Sequence, residues 1–388
     1  MIETITDREG FLRLRNDWSS LLPRCAASSV FLTWEWLFTW WNHLGADRQP
    51  RILAVRRDGR LIAIAPFAIR PPSLSRLVPF RAVEFLGSGT VGSDYLDLIV
   101  GPGEEAGAVS EIGSRLERMG LPVELPQMRL DGSAGRLMSQ RMASRGWSLV
   151  NGPTSVCPFI PLAGRDWSEY VATLGSAHRA NLHRRLRGLN RIGEVRFEPV
   201  RSDAERRQAL SRLIFLHNLR WSARGGSDAF DTPEKLAFHQ EFSRLAMDNG
   251  WLRLLVLKVG GAEVAFFYGF RFDGVFSFYQ SAFDPAWSSH SVGLVAMGLA
   301  IRTAIEEGAA EFDLLHGDER YKYHWAGEER SIGRLELHAP PLRGWLTRGA
   351  SEIGRTARRL GRRALARTLA PTPQAPRAVP APEGEGLA

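Results

Sequence analysis

The sequence predicts a mixed α/β protein made of two related modules in tandem. Three observations carry this. First, RILAVRRDGRLIAIAPFAI at 51–69 reads as a β-hairpin, because the Asp58-Gly59 turn separates two apolar runs. Second, the same grammar returns 202 residues later as RLLVLKVGGAEVAFFYGFR at 253–271, with Ala63 and Ala265 at the same place after the turn. Third, helical apolar spacing precedes both hairpins, and 388 residues at 44% hydrophobic give room for two domains of roughly 150 residues. Duplication of one α/β unit accounts for all three; the competing reading is that any two hairpins share part of this pattern.

In chain order, residues 8–22 place Phe11, Leu14, Trp18, Leu21 and Leu22 at helical spacing. Residues 33–44 do the same with Trp34, Leu37, Trp40, Trp41 and Leu44; Trp40 and Trp41 read as core. After the hairpin, FRAVEFLG and DYLDLIVG are expected as strands, and 104–119 as a helix ending at Gly120. The second block begins after about residue 150 and continues past its hairpin with strand VFSFYQSAF, loop DPAWSSHSVG, helix 294–308 and strand AEFDLLH. The expected organisation is a module over 1–150 and another over 151–340, each a mixed, mainly antiparallel sheet with flanking helices, an α+β variant of the α/β class. Between them, residues 178–191 hold Arg179, Arg184, Arg185, Arg187 and Arg191, two histidines and no acid, with Leu182, Leu186 and Leu189 at helical spacing. This basic amphipathic helix is either a solvated connector or a phosphate-contacting surface.

Charge narrows the function classes. The chain carries 50 basic and 42 acidic residues, a formal +8, and only Lys235, Lys258 and Lys322 of the basic residues are lysines. From Leu342 to the end there are nine arginines and three glutamates, or +6, so the body before the tail carries +2. A near-neutral body argues against a nucleic-acid binder, which needs a basic face. Residues 342–369 repeat Leu346, Ile353 and Leu360 every seven positions among arginines, and predict an interfacial helix for an anionic membrane surface; 371–388, rich in Pro, Ala and Gly, predict a disordered tail. Two cysteines, Cys25 and Cys157, make neither a disulfide framework nor a metal site, and the N-terminus lacks the basic and apolar regions of a signal peptide. The expected location is cytoplasmic, with peripheral membrane contact through 342–369.

Familiar motifs fail in context. Gly87-Ser88-Gly89-Thr90-Val91-Gly92 matches G-x-G-x-x-G, but β-rich SDYLDLIVGPG follows where a dinucleotide fold needs a helix, so this is a glycine-rich turn between strands. The nine histidines do not cluster at ligand spacing, and no metal is expected. The informative stretch is 251–325. Ser288, Ser289, Ser291 and Gly293 lie just before a long apolar helix, where unpaired amides and the helix dipole favour an anion such as a pyrophosphate; serines also cap helices for structural reasons alone.

The order hairpin, long strand, Ser/Gly loop, helix, strand, then GDERYKYHW resembles the GNAT-type acyltransferase superfamily, in which central strands splay apart and the loop and helix after the splayed strand hold the pyrophosphate of coenzyme A. More narrowly, the chain resembles the GNAT-like acetyltransferases associated with cellulose or other polysaccharide biosynthesis, relatives of the Fem-type aminoacyl transferases. The residues that carry this span roughly 20–340: FLTWEWLFTWW, LGSGTVGSDYLDLIV, the Arg-rich helix, HNLRWSARGG, VAFFYGF, SVGLVAMGLAI and, most specifically, DLLHGDERYKYHW. The loop departs from the usual Gln/Arg-x-x-Gly-x-Gly/Ala: aligned on Gly293, Ser288 and Ser291 stand where Gln/Arg and the first Gly would be.

The resemblance implies two tandem GNAT-like modules, the C-terminal one active, with acetyl-CoA or another acyl-CoA as co-substrate and an amine or hydroxyl of a sugar, polysaccharide precursor or lipid-linked intermediate as acceptor. The thioester would lie between strands 275–283 and 310–315, its carbonyl polarised by an amide near Gln280 or Ser281, with Ser289, Ser291, Val292, Gly293 and Leu294 holding the pyrophosphate. Asp313 or His316 would take the acceptor's proton; Asp313 could equally bind loop amides. Lys322, beside Tyr321, is expected to contact a substrate anion or charge developing in the transition state, or else to be a surface lysine. Tyr321 and Trp325 are expected to line the acceptor pocket or to pack. Arg220-Trp221, with Arg224-Gly225-Gly226, is a candidate lid, and Trp34, Trp36, Asp94 and Tyr95 are candidates for an inter-module acceptor groove. The competing classes are a Fem-type transferase using aminoacyl-tRNA, with 178–191 on the tRNA, and a non-catalytic module of a membrane polysaccharide complex.

Overall fold

The computed structural model describes residues 1–45, 47–72, 80–89, 91–222 and 227–340. The predicted helix 342–369, the tail 371–388 and the Arg224-Gly225-Gly226 segment lie outside the described residues. The first half runs β1 (Ile2–Ile5), α1 (Arg8–Arg13), α2 (Arg15–Leu21), α3 (Trp34–Leu44), β2 (Gln49–Pro50), β3 (Ile52–Arg57), β4 (Arg60–Ala65), β5 (Phe67–Arg70), β6 (Ala82–Phe85), β7 (Ile99–Val100), α4 (Glu105–Met119), β8 (Val123–Arg129), α5 (Ala134–Ser144) and β9 (Ser148–Pro161). The second runs α6 (Trp167–Thr173), α7 (Ser176–Ile192), β10 (Val195–Pro199), α8 (Asp203–Ser222), α9 (Pro233–Asp248), β11 (Leu252–Val259), β12 (Ala262–Phe272), β13 (Val275–Phe283), α10 (Val292–Glu306), β14 (Glu311–Asp313) and β15 (Glu328–His338).

Local chemistry sets several boundaries. Thr33 caps α3 by accepting from the Trp36 amide. Gly120 ends α4 in the left-handed conformation at φ 62. The predicted helix over 8–22 is two short helices that meet at Leu14. The strand expected over DYLDLIVG shrinks to the two residues of β7. Its first part cannot stay extended: Tyr95 has φ 59, and Asp97 turns inward to accept from the amides of Leu98, Ala134 and Gly135.

A small sheet has the order β1-β3-β4-β7, and an 11-stranded sheet runs β10-β11-β12-β13-β14-β9-β15-β8-β6-β5-β2. The fold is thus mixed α/β on a largely antiparallel framework. The 150/151 position falls inside β9, and the late strand β15 pairs antiparallel with both β9 and β8, inserting into the sheet of the first half. The halves therefore share a hydrogen-bonded ladder as well as a core. At that core Trp36 is fully buried, edge-on to Phe31, Phe238 and Phe242 at 4.9, 5.0 and 4.6 Å. Its indole N–H donates to Ser93 Oγ at 2.9 Å. One side chain so joins α3 to α9 and to the loop that leads into the site. Trp36→Ala should lower unfolding free energy by about 3–5 kcal/mol in denaturant titration; a loss under about 1 kcal/mol would contradict this central place.

Candidate functional site

β13 and β14 are parallel neighbours only where Val275–Ser277 face Glu311–Asp313. Beyond Ser277, β13 continues to Phe283 while the other chain turns away at Leu315, whose φ is 56. A register shift in the β12–β13 ladder at Tyr268/Gly269 helps bend β13. Gly269 is required there, because a Cβ would lie 2.2 Å from the Ser277 carbonyl oxygen. The strands splay into a cleft of about 810 Å³ that contains Phe278, Gln280, Ser281, Leu314, Leu315 and His316. Its far end is the start of α10, where Gly293, Leu294 and Met297 line it.

Ser291 caps α10 at φ 55 with no side-chain cap, and its carbonyl takes the amides of Leu294 and Val295. The Val292 and Gly293 amides are first-turn donors with no helix carbonyl to bind, at the positive end of a 15-residue helix. Arg185 of α7 donates to the Ser289 carbonyl at 2.8 Å, which brings the Arg-rich helix to this corner. The donor set suits the diphosphate of an acyl-CoA. Of the residues expected to bind the acyl-CoA, Gln280 and Ser281 at the thioester and Gly293 and Leu294 at the diphosphate line the cleft. The Val292 side chain is buried, and Ser289 lies in the 3-10 turn Pro285–His290, so these positions and Ser291 offer backbone rather than lining side chains.

The opposite wall comes from the first half. The turn bearing Gly89 and Gly92, at φ 105 and 61, leads Asp94 into the cleft. Asp94 is fully buried. It accepts from the His316 backbone amide at 3.0 Å and meets His316 Nδ1 at 2.8 Å, across 222 residues of sequence. A Cβ at Gly92 would sit at ordinary contact distance, 3.6 Å, from His316 Cε1, so the turn packs directly beside the ring. The His316 ring is about half exposed (46%), which leaves Nε2 available to the cleft. The bond to Asp94 raises the His316 pKa, against the lowering by burial and Lys322.

Lys322 is buried, and its Nζ donates to the Leu315 and His316 carbonyls at 3.1 and 2.7 Å and pairs with Glu319 at 3.0 Å. Those hydrogen bonds hold the loop that carries His316, and Lys322 also lines the cleft. Tyr321, Arg220 and Trp221 line the same cleft, Arg220 with its guanidinium 5.0 Å above the Phe283 ring.

Several candidates lie elsewhere. Trp34 and Trp36 are not groove residues: both are buried, Trp34 donating to the Phe11 carbonyl. Trp325 is also core, edge-on to His178 at 4.4 Å. Asp313 and Tyr95 face a second cavity of about 610 Å³. Asp313 accepts from the Leu315 amide at 2.7 Å, so it binds a loop amide at the end of β14 and does not face the splay as a base would. Gly89, Gly92, Gln127 and His217 line the cleft without having been expected to; the glycine-rich turn was the available signal for the first two.

Residues 176–323 match the acetyltransferase (GNAT) domain family. No curated protein matches the chain. Among solved structures, FemX superposes with a TM-score of 0.62 at 10% identity over 86% of this chain and 96% of that one. A conserved protein of unknown function from Bacteroides thetaiotaomicron gives 0.55 at 10% identity over 87% and 100%. The C-terminal domain of a candidate lysylphosphatidylglycerol synthetase from Agrobacterium fabrum gives 0.51 at 10% identity over 88% and 96%. At these identities the likeness is one of fold, and it extends over both halves. The match to the GNAT domain family takes in α7, the splayed strands, α10 and Lys322.

NMR titration should give His316 a pKa above the ordinary 6.5, and Asp94→Asn should lower it. Because the folded pKa is raised, the pair's extra stability is fully present below the unfolded value and is lost as pH rises through the folded one. A His316 pKa at or below 6.5 would contradict the pairing.

Proposed function

We propose that the protein transfers an acyl group from an acyl-CoA, acetyl-CoA by preference, to an amine or hydroxyl of a sugar or a lipid-linked sugar, by direct attack in a ternary complex. The observation that carries this is the juxtaposition, in one cleft, of splayed strands, helix-terminal donors and a carboxylate-oriented histidine. Val292 and Gly293 amides would hold the diphosphate, with Arg185 on the loop behind them. His316, oriented through Nδ1 by Asp94, accepts the acceptor's proton at Nε2 as the new N–C or O–C bond forms. The thioester C–S bond breaks as the tetrahedral centre collapses, and the thiolate leaves to be protonated. Edge amides of β13 near Gln280 and Ser281 stabilise the oxyanion. Lys322 acts through the loop it holds.

Acetyl-CoA should raise the melting temperature, as any ligand of the folded state does. His316→Ala should lower the rate of thiol release about 10²–10⁴-fold. kcat/KM should rise with pH as His316 becomes neutral, with a midpoint above the ordinary 6.5. Saturating acetyl-CoA that gives neither a melting shift nor thiol release with any member of an amine and amino-sugar panel would refute the reading.

A Fem-type use of aminoacyl-tRNA is favoured by one observation, the exposed arginine face of α7 beside the Ser289 corner. It requires salt-sensitive binding of charged tRNA, which the acyl-CoA reading does not. We also propose that 342–369 docks on anionic membrane. Deletion after Pro341 should abolish sedimentation with anionic vesicles and leave turnover in solution intact; loss of both would contradict the separation.

A further inference from the structure

The second cavity is not part of the mechanism above, yet it is as well built as the cleft. Its volume, about 610 Å³, falls within the roughly 300–1,000 Å³ usual for small-molecule sites. The floor is Glu311 and Asp313 of β14, with Arg330 of β15 and Tyr95 beside them. Asp97, Glu105 and Asp131 add three carboxylates to the walls, and Arg129 one guanidinium. Five acids against two arginines leave an excess of three negative charges when all are ionised, in a chain whose formal charge is +8.

Asp97 is held by three backbone amides and Asp131 lies 3.7 Å from Arg129, but pairing does not use up the two carboxylates of β14. Arg330 pairs with Glu311 and stacks on Phe159 at 3.9 Å, but reaches Asp313 only at 3.9 Å. Glu311 Oε1 is buried with no hydrogen-bond partner. Tyr95, only 8% exposed and lining the cavity, has a hydroxyl that neighbours Asp313 and Cys157 yet makes no hydrogen bond of ordinary geometry. Buried acceptors and hydroxyls in that condition are costly, and a donor arriving from a ligand relieves the cost.

The wall of the cavity is shared with the cleft. Asp94 and Leu314 line the cleft, while their chain neighbours Tyr95 and Asp313 line the cavity. Of the six non-glycine residues with positive φ among the described residues, Asp58 and Asp273 are in hairpin turns and Ser291 caps α10. The other three, Tyr95, Gln127 and Leu315, at 59, 58 and 56, all lie in the segments that separate the two spaces. Backbone strain of this kind is kept where surrounding structure holds it, often at functional sites.

We infer that this cavity binds a small organic cation, a protonated amine or guanidinium compound, on Glu311, Asp313 and the Tyr95 hydroxyl. The inference concerns binding and stands apart from the base in the cleft. Burial pushes the Asp313 pKa up to about 7; the groups that face it are Tyr95, Arg330, Glu311 and Cys157. A cation needs the ionised carboxylate, so affinity increases as pH rises through about 7 and falls below it.

The test is calorimetric titration and thermal shift of the full chain with cadaverine, agmatine and glucosamine, against the neutral 1,5-pentanediol and glucose. At least one cation should bind and its neutral counterpart should not. Asp313→Asn, which keeps an oxygen for the Leu315 amide, and Glu311→Gln should each weaken binding on the order of ten- to a hundredfold, with melting curves confirming that both variants fold. Saturating acetyl-CoA should not displace the cation. His316→Ala should retain cation binding while turnover is lost, so a failure of the acyl-transfer reading and a failure of this one are told apart. Equal response to cations and neutral compounds, undiminished affinity in both variants, or no binding by any of the three cations at millimolar concentration would overturn it.

Discussion

The pairing of Asp94 with His316 is the constraint on which the site depends. A fully buried carboxylate is expensive unless it is paired, and Asp94 finds its partners in a loop 222 residues away, Oδ2 taking both hydrogen bonds while Oδ1 keeps the 2.8 Å ion-pair distance to Nδ1. The two bonds, to the backbone amide and to Nδ1, fix both the position of the loop and the orientation of the ring. Lys322 grips the carbonyls of the same loop from the other side. The splayed strands and the helix-terminal amides belong to the second half, but the carboxylate paired with His316 belongs to the first. A C-terminal module alone would present a histidine with no partner.

The architecture makes that arrangement durable. Trp36 locks α3 against α9, and Ser93, one residue before Asp94, accepts a hydrogen bond from its indole N–H. β15 leaves the site loop and returns to pair with β8 and β9, so the segment bearing His316 and Lys322 is tethered by β14 at one end and a long antiparallel ladder at the other. Relative motion of the halves would break ladder bonds, whereas motion of the loop alone is opposed by Lys322.

Much of this was legible in the sequence where local patterns decide the outcome. Hairpins with Asp-Gly and Gly-Gly turns, the amphipathic α3 and α7, and the Ser/Gly approach to α10 are short-range signals, and His316 stood out near the right strand. What could not be read is long-range pairing. Nothing local tells that β15 inserts between β8 and β9, or that Asp94 and His316 meet. Trp34 and Trp36 are buried, which the sequence does not tell, because a tryptophan looks the same in a groove and in a core. Asp313 and His316, three residues apart, are equivalent candidates for one role on sequence alone. The left-handed turn at Leu315 sends them to different spaces, and β-branched or aliphatic sequence carries no warning of a positive φ there. The isolated lysine is a usable local signal, but its bonds to three consecutive carbonyls (3.1, 2.7 and 3.4 Å) are detail that no sequence pattern shows.

The most direct test of a base assembled across the two halves is a double-mutant cycle of Asp94→Asn and His316→Gln on kcat for thiol release from acetyl-CoA. Residues acting as one unit are non-additive. The account predicts that the double variant is no slower than the worse single variant. Losses that multiply would show that Asp94 and His316 act independently, and would contradict it.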